Sequence, residues 1–343
     1  MSVRRPAGWT ALAAAVAVVA LASLPYVVYA NVTNLLVNLF ILLVLASMWN
    51  LLAGYAGLIS VGQQAFIGLG AYTVLFLAQG GVDPFLAIPA AAVVCAVIAV
   101  PTSLLVFRLR AEYFAIGTWV VAEVFQLVVV RFASLGGGTG SALPGLAGLD
   151  PALRQAFTYW ATLAVVVASL LGVYLLLRSR LGLDLTAIRD DEVGARSVGV
   201  RTGRAKRIVY LVAAAGCGAG GALLIISQLN VQPAAIFSVR WSAYVIFATV
   251  IGGVGFIEGP ILGVVVFFAL QQALADQGAW YLIVLGCVAV AMALWVPQGL
   301  WGLVSGRFDV RVFPVGYWVH FDADGAMARV GRLRRRLRGR PEG

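Results

Sequence analysis

The run 185–200, LTAIRDDEVGARSVGV, holds the densest set of reactive side chains in the sequence. Arg189, Asp190, Asp191 and Glu192 are four consecutive ionisable residues, followed by the small residues Ala195 and Gly199. On a helix, positions 188, 192, 195 and 199 share one face and offer Ile, Glu, Ala and Gly. Acids early in a short helix complement its dipole, and Gly199 is a residue that can end it. Small and mixed polar residues suit a surface that docks on another protein. The alternative is an ordinary amphipathic helix in a loop.

A second constellation is uncharged. Between residues 50 and 64 the chain reads NLLAGYAGLISVGQQ, with Gly54, Gly57 and Gly62 interleaved with Ser60, Gln63 and Gln64. Glycines permit close backbone approach and broken helix geometry, and the hydroxyl and amides supply donors and acceptors at the break. Backbone that leaves the helix at membrane depth is tolerated only where protein or a water-filled cavity covers it. These residues read either as the lining of a solute pathway or as a turn between packed helices. A comparable glycine-rich junction recurs at 251–260, IGGVGFIEGP, where Glu258 reads as a residue of a solvated turn. Two such breaks in corresponding halves can mark a duplicated transporter architecture. Glu123 lies about ten residues inside an apolar run that starts at Tyr113. An ionisable residue there is expensive and points to function, or else to a hydrogen bond onto a neighbouring helix with Arg131 anchoring the outer end.

Several chemistries are excluded. A phosphate-binding Walker loop ends in Gly-Lys-Ser/Thr, and the only lysine, Lys206, is flanked by Ala205 and Arg207. The one histidine, His320, has no Cys or His neighbour and supports neither a catalytic triad nor a metal site. Cys95, Cys217 and Cys287 lie in apolar runs and read as small packing residues, not a disulfide framework.

The elements that carry these residues are set by composition. Of 343 residues, 62% are hydrophobic and 11% charged, with a mean hydropathy of +0.97. Soluble domains are roughly a quarter charged, so the bilayer is the solvent this chain is built for. Continuous apolar stretches such as 9–30 and 281–296 exclude the alternating pattern of a barrel. The expected fold is therefore an all-α integral membrane protein with about ten transmembrane helices. The spans fall near 9–30, 33–53, 64–80, 85–107, 113–132, 157–177, 207–228, 241–256, 260–276 and 280–296. Residues 1–300 form the transmembrane unit, with 178–207 as a segment between spans, and 301–343 form a basic tail suited to anionic lipid headgroups rather than nucleic acid.

The net charge of +10 follows the positive-inside rule. If the chain starts inside, the inside segments hold Arg4, Arg5, Arg108, Arg110, eight basic residues from 178 to 207 and nine from 307 to 340. Only Arg131, Arg154 and Arg240 fall outside, which puts both termini in the cytoplasm of a plasma-membrane protein. Arg4-Arg5 and the apolar run to Ala30 resemble a secretory signal, but the run is longer than such signals usually are, so the first span is expected to be retained.

At these residues the sequence resembles the LivM-type membrane subunit of branched-chain amino-acid ABC importers. The likeness rests on 54–72, on 108–123 (RLRAEYFAIGTWVVAE), on 178–200, on 252–263 and on 294–303 (LWVPQGLWGL), in order along nearly the whole chain. It implies an ATP-driven importer of branched-chain or similar small amino acids. Its other parts would be a LivH-type second permease, two ATP-binding subunits and an extracytoplasmic solute-binding protein. ATP and Mg would be bound by the partner subunits, with no cofactor on this chain. Arg189, Asp190, Asp191, Glu192, Ala195 and Gly199 would belong to a cytoplasmic coupling helix. The pathway would draw on Gly54, Gly57, Ser60, Gly62, Gln63, Gln64 and Glu123. Gln64 stands where the family commonly has His, Gly140-Ser141 replaces an Asn-Gly-like element, and Arg196 occupies an often acidic position. Related permeases carry urea or short amides. A stand-alone secondary carrier is the rival within transport, and the missing acid–base cluster speaks against a membrane enzyme.

Overall fold

The computed structural model describes residues 8–26, 28–109, 111–146, 148, 150–274, 280–296 and 298–308. Arg4, Arg5, Arg110, His320 and the basic run of the distal tail lie outside the described residues.

Helices account for nearly all of the described chain. Helix α1 (Gly8–Ser23) precedes α2 (Ala30–Asn50), which runs on through a π turn at Leu51–Tyr55. Next come α3 (Gln63–Gln79), α4 (Ala87–Val106), α5 (Ala111–Val130) and α6 (Pro151–Arg178). The basic segment forms two short helices, α7 (Arg180–Asp190) and α8 (Glu192–Ser197). Helix α9 (Thr202–Gln228) leads through the four-residue α10 (Pro233–Ile236) to α11 (Arg240–Gly252) and α12 (Glu258–Ala273). Helices α13 (Trp280–Trp295) and α14 (Gly299–Phe308) follow, the latter being the described start of the tail. A two-residue bridge pairs Ser141–Ala142 antiparallel with Asn230–Val231, joining the glycine-rich loop after α5 to the segment after α9.

Local signals account for several boundaries. Pro151 opens α6 behind Asp150, whose carboxylate accepts from the Ala152 nitrogen; proline is well placed there because that N–H has no helical partner. Ser179 caps α7 by accepting from the Leu181 nitrogen. At the other end of α9, Leu229 turns into the left-handed region at φ 59°.

The centre of the bundle is α9. Its run of small residues from Ala213 to Ala222 lets α3 and α4 approach backbone to backbone. A Cβ on Gly70 would collide with the Gly218 carbonyl, and one on Gly221 with that of Ile67. Lipid offers no hydrophobic drive between helices, so small residues and close packing hold them together. Helices α2 and α3 are also largely buried, whereas α5 and α6 show most of their surface outward.

Among the described residues, six helices are long and apolar enough to cross a membrane, and a seventh crossing results if the bent pair 283–295 and 299–307 counts as one. That is fewer than the ten spans expected. The physical reason is that several apolar stretches are broken: α12 has 16 residues and α3 has 17, because the chain leaves the helix at 56–62 and at 253–257.

Candidate functional site

The two glycine-rich breaks meet in space. Asn50, at the end of α2, donates from Nδ2 to the Phe256 carbonyl at 2.7 Å and accepts from the Gly255 nitrogen at Oδ1, 2.8 Å away. Gly54 packs into this junction so closely that a Cβ would collide with Asn50 Oδ1 and stand 2.5 Å from the Gly255 nitrogen. Gly253 and Gly255 adopt φ of 126° and 87°, a region that excludes most side chains. The recurrence seen in the sequence is thus a physical contact between the breaks.

Arg189 closes the junction from the basic segment. Its Nη1 donates to the carbonyl of Gly54, in the π turn, at 3.0 Å, and its Nε pairs with Asp190 at 3.2 Å. Tyr55 lies within electrostatic reach of both Arg189 and Glu258. Glu258, expected in a solvated turn, is instead buried at the start of α12.

Beyond Gly57, which takes φ 66° beside Arg189, the chain stays out of the helix to residue 62. Trp49 Nε1 donates to the Ser60 carbonyl at 2.8 Å, and the Val61 nitrogen donates to Thr118 Oγ1 of α5 at 3.2 Å. Gly62 abuts the Thr118 carbonyl, where a Cβ has no room. Gln63 and Gln64 then open α3 fully inside the protein. Cys217 Sγ donates to Gln63 Oε1 at 3.0 Å, so this thiol does more than pack. Ser242 of α11 donates to Gln64 Oε1, while Gln64 Nε2 and the Tyr72 hydroxyl are buried without a partner.

The basic segment departs from the single helix read from 185–200. Asp191 leaves the helical region at φ −156°, ψ 105°, and caps α8 by accepting from the Val193 nitrogen. The face 188–192–195–199 is therefore not continuous: an Asx cap at residue 191 competes with the helix for the backbone. Asp190 ends α7, while Gly199, at φ 91°, turns the chain after α8 as expected. Ala195 is buried. Glu192 binds Lys206 Nζ at 2.7 Å and Arg196 Nη2 at 3.0 Å, tying α8 to the start of α9. The Lys206 hydrogen bond holds its carboxyl below the ordinary glutamate range. Beside exposed charged residues such as Asp190 and Arg196, the segment also turns two large apolar side chains outward, Val193 and Val198, 79% and 80% exposed, which the charge-centred reading missed.

Glu123 stands apart from these groups. It is exposed on α5 and accepts from Trp119 Nε1, one turn earlier on the same helix, at 3.0 Å. The alternative of a bond to a neighbouring helix is not what is observed.

Sequence reasoning also missed Asn50, Ser242 and Cys217 as partners. A polar amide in an otherwise apolar span was the readable signal for Asn50. Among the described residues, no group of three or more His, Cys, Asp or Glu is placed to hold a metal ion. The arrangement is a joint between the two breaks held by hydrogen bonds from Asn50, Gly255 and Arg189.

Residues 31–293 match the family described as branched-chain amino acid transport system / permease component. The chain is 29% identical over 314 residues to the high-affinity branched-chain amino acid transport system permease protein LivM of Salmonella typhimurium, covering 84% of this chain and 74% of that one. The LivM protein of Escherichia coli matches with the same identity and coverage. No solved structure matches. With a match across most of its length and a multi-pass helical architecture, the chain belongs to the branched-chain amino acid transport permease family.

Proposed function

We propose that this chain is the membrane-spanning permease subunit of an ATP-driven ABC importer for branched-chain or similar small amino acids. Both termini and the basic segment lie on the cytoplasmic side, and the ten apolar stretches cross the membrane with α3 and α12 as broken spans. Two ATP-binding subunits hydrolyse ATP with Mg on the cytoplasmic face. A LivH-type permease completes the pathway, and an extracytoplasmic binding protein delivers solute.

The observation that carries this reading is the hydrogen bond from Arg189 to the Gly54 carbonyl. It ties a segment outside the membrane to the one place where both broken helices meet. A push on α7 and α8 by a partner then reaches Gly54, Asn50 and Gly255 without crossing flexible chain. Exposed Val193 and Val198 supply apolar contacts of the kind a docking interface buries. Each ligand must favour one state of the joint for ATP to drive transport.

The test is gentle detergent purification from the native membrane with mass spectrometry of what accompanies the chain, followed by uptake of labelled leucine in liposomes. A stoichiometric ATPase with a Walker loop, a second permease and strictly ATP-dependent uptake are expected. Uptake by the chain alone without ATP would overturn the reading in favour of a secondary carrier.

A further inference from the structure

Away from the joint, a cavity of 170 Å³ opens where α9, α10 and α11 come together. This is well below the roughly 300–1,000 Å³ of pockets that take drug-sized ligands, so its size suits a solute of few atoms. Its lining residues include Arg240, Gln228 and Gln232, Trp241 and Tyr244, and the aliphatic Ile225. That is one fixed positive charge, neutral acceptors, aromatic faces that attract an ammonium group, and an apolar wall.

Ile236 is one of the lining residues, and its neighbour Phe237 is buried against α3. The Phe237 ring stacks on Tyr72 with centroids 6.1 Å apart and fills the space left by Gly68, where a Cβ would run into it. Gln64, Gly68 and Tyr72 share one face of α3 by their spacing of four. Among the described residues, the hydroxyl of Tyr72, which stacks on this ring, and Nε2 of Gln64, one turn before Gly68, are buried without a hydrogen-bond partner. Orphaned polar groups in a buried site are expensive, and these two lie on the α3 face that carries the Phe237 ring.

We propose that the Arg240 cavity is the outer subsite for the carboxylate end of a small zwitterionic amino acid, and that Phe237 is the shutter between it and the Gln64–Tyr72 compartment. This rests on the importer reading and its sidedness, which put Arg240 on the extracytoplasmic face. The carboxylate binds Arg240, the ammonium faces the amide oxygens and the rings of Trp241 and Tyr244, and the aliphatic side chain lies on Ile225. Withdrawal of the Phe237 ring then offers the solute Gln64 Nε2 and the Tyr72 hydroxyl.

The test is equilibrium binding of tritiated leucine to the purified transporter complex, without nucleotide and without the binding protein. Arg240→Gln is expected to weaken binding about 10- to 100-fold, as loss of a charge-assisted hydrogen bond does, and Arg240→Lys to retain most of it. A branched carboxylate lacking the amine should compete, and leucinamide should not. Equal binding by Arg240→Gln and wild type in a complex that imports leucine would overturn the subsite. So would an Arg240→Gln defect confined to docking of the binding protein, which would make this face a protein contact. Phe237→Ala should admit leucine to liposomes without ATP, and tight, fully coupled Phe237→Ala would overturn the shutter. A wild-type complex that imports no branched-chain amino acid would sink the importer reading instead, a separate result.

Discussion

Arg189 Nη1 and the Gly54 carbonyl oxygen, 135 residues apart in sequence, lie 3.0 Å apart in a hydrogen bond that joins α7 to the π turn below α2. Gly54 stands where the two breaks meet. Its missing Cβ is the space that Asn50 and Gly255 occupy.

Arg189→Ala is expected to leave the chain inserted and assembled but to lower transport far more than ATP hydrolysis. A charge-assisted hydrogen bond contributes about 1.5–3 kcal/mol, less here because the guanidinium is 41% exposed. Arg189→Lys should recover part of the coupling. The ratio of solute imported to ATP consumed in liposomes checks this, and an unchanged ratio rules out the strut.

Gly54→Ala should destabilise the protein by about 1–3 kcal/mol, as overpacking does. The added methyl has nowhere to go between Asn50 and Gly255. Thermal unfolding in detergent measures it. Gly148→Ala, where nothing stands within 4 Å, is the control expected to be near neutral.

Glu192→Arg should leave the protein in the membrane but uncouple ATPase activity from transport, because it sets a third cation beside Arg196 and Lys206. Wild-type uptake would contradict this. The pH dependence follows from the depressed Glu192 pKa. A carboxyl whose folded pKa lies below its unfolded value of about 4.3 adds stability above that value. The gain is lost as pH falls through the folded pKa. The difference in melting temperature between wild type and Glu192→Gln should therefore be full at neutral pH and shrink in acid.

Val193→Asp with Val198→Asp should prevent recruitment of an ATP-binding subunit without affecting folding, since both side chains stand in solvent. Co-purification with the permease reads the effect, and normal stoichiometry would move the docking surface elsewhere.

Glu123→Leu should alter transport more than insertion. The carboxylate is exposed on α5 with Trp119 on the same helix as its bonded partner, so its removal opens no hole in the core. Loss of the chain from the membrane would assign Glu123 to assembly instead.

Membrane residence, helical class and the places where helices break were legible in the sequence, because each is a local property. Apolar runs need lipid, glycine clusters weaken helices, and Gly199 takes the left-handed turn that ends α8. The composition of 54–64 marked a break whatever it packed against. What touches what was decided by tertiary structure. Asn50 finds Gly255, Gln63 finds Cys217 and Gln64 finds Ser242 across more than 150 residues of chain, pairings that no spacing rule encodes. The same holds for Glu258, read as solvated and found buried, and for Glu123, which lies within a membrane-spanning helix as read but bonds to Trp119 of its own helix and not to a neighbour. Even the break at Asp191 was a competition between two local options, helix continuation and an Asx cap. Its outcome sits alongside the packing of Ile188 and Ala195 into the protein on either side of the break. Sequence sets which groups need partners; only the fold brings the partners within reach.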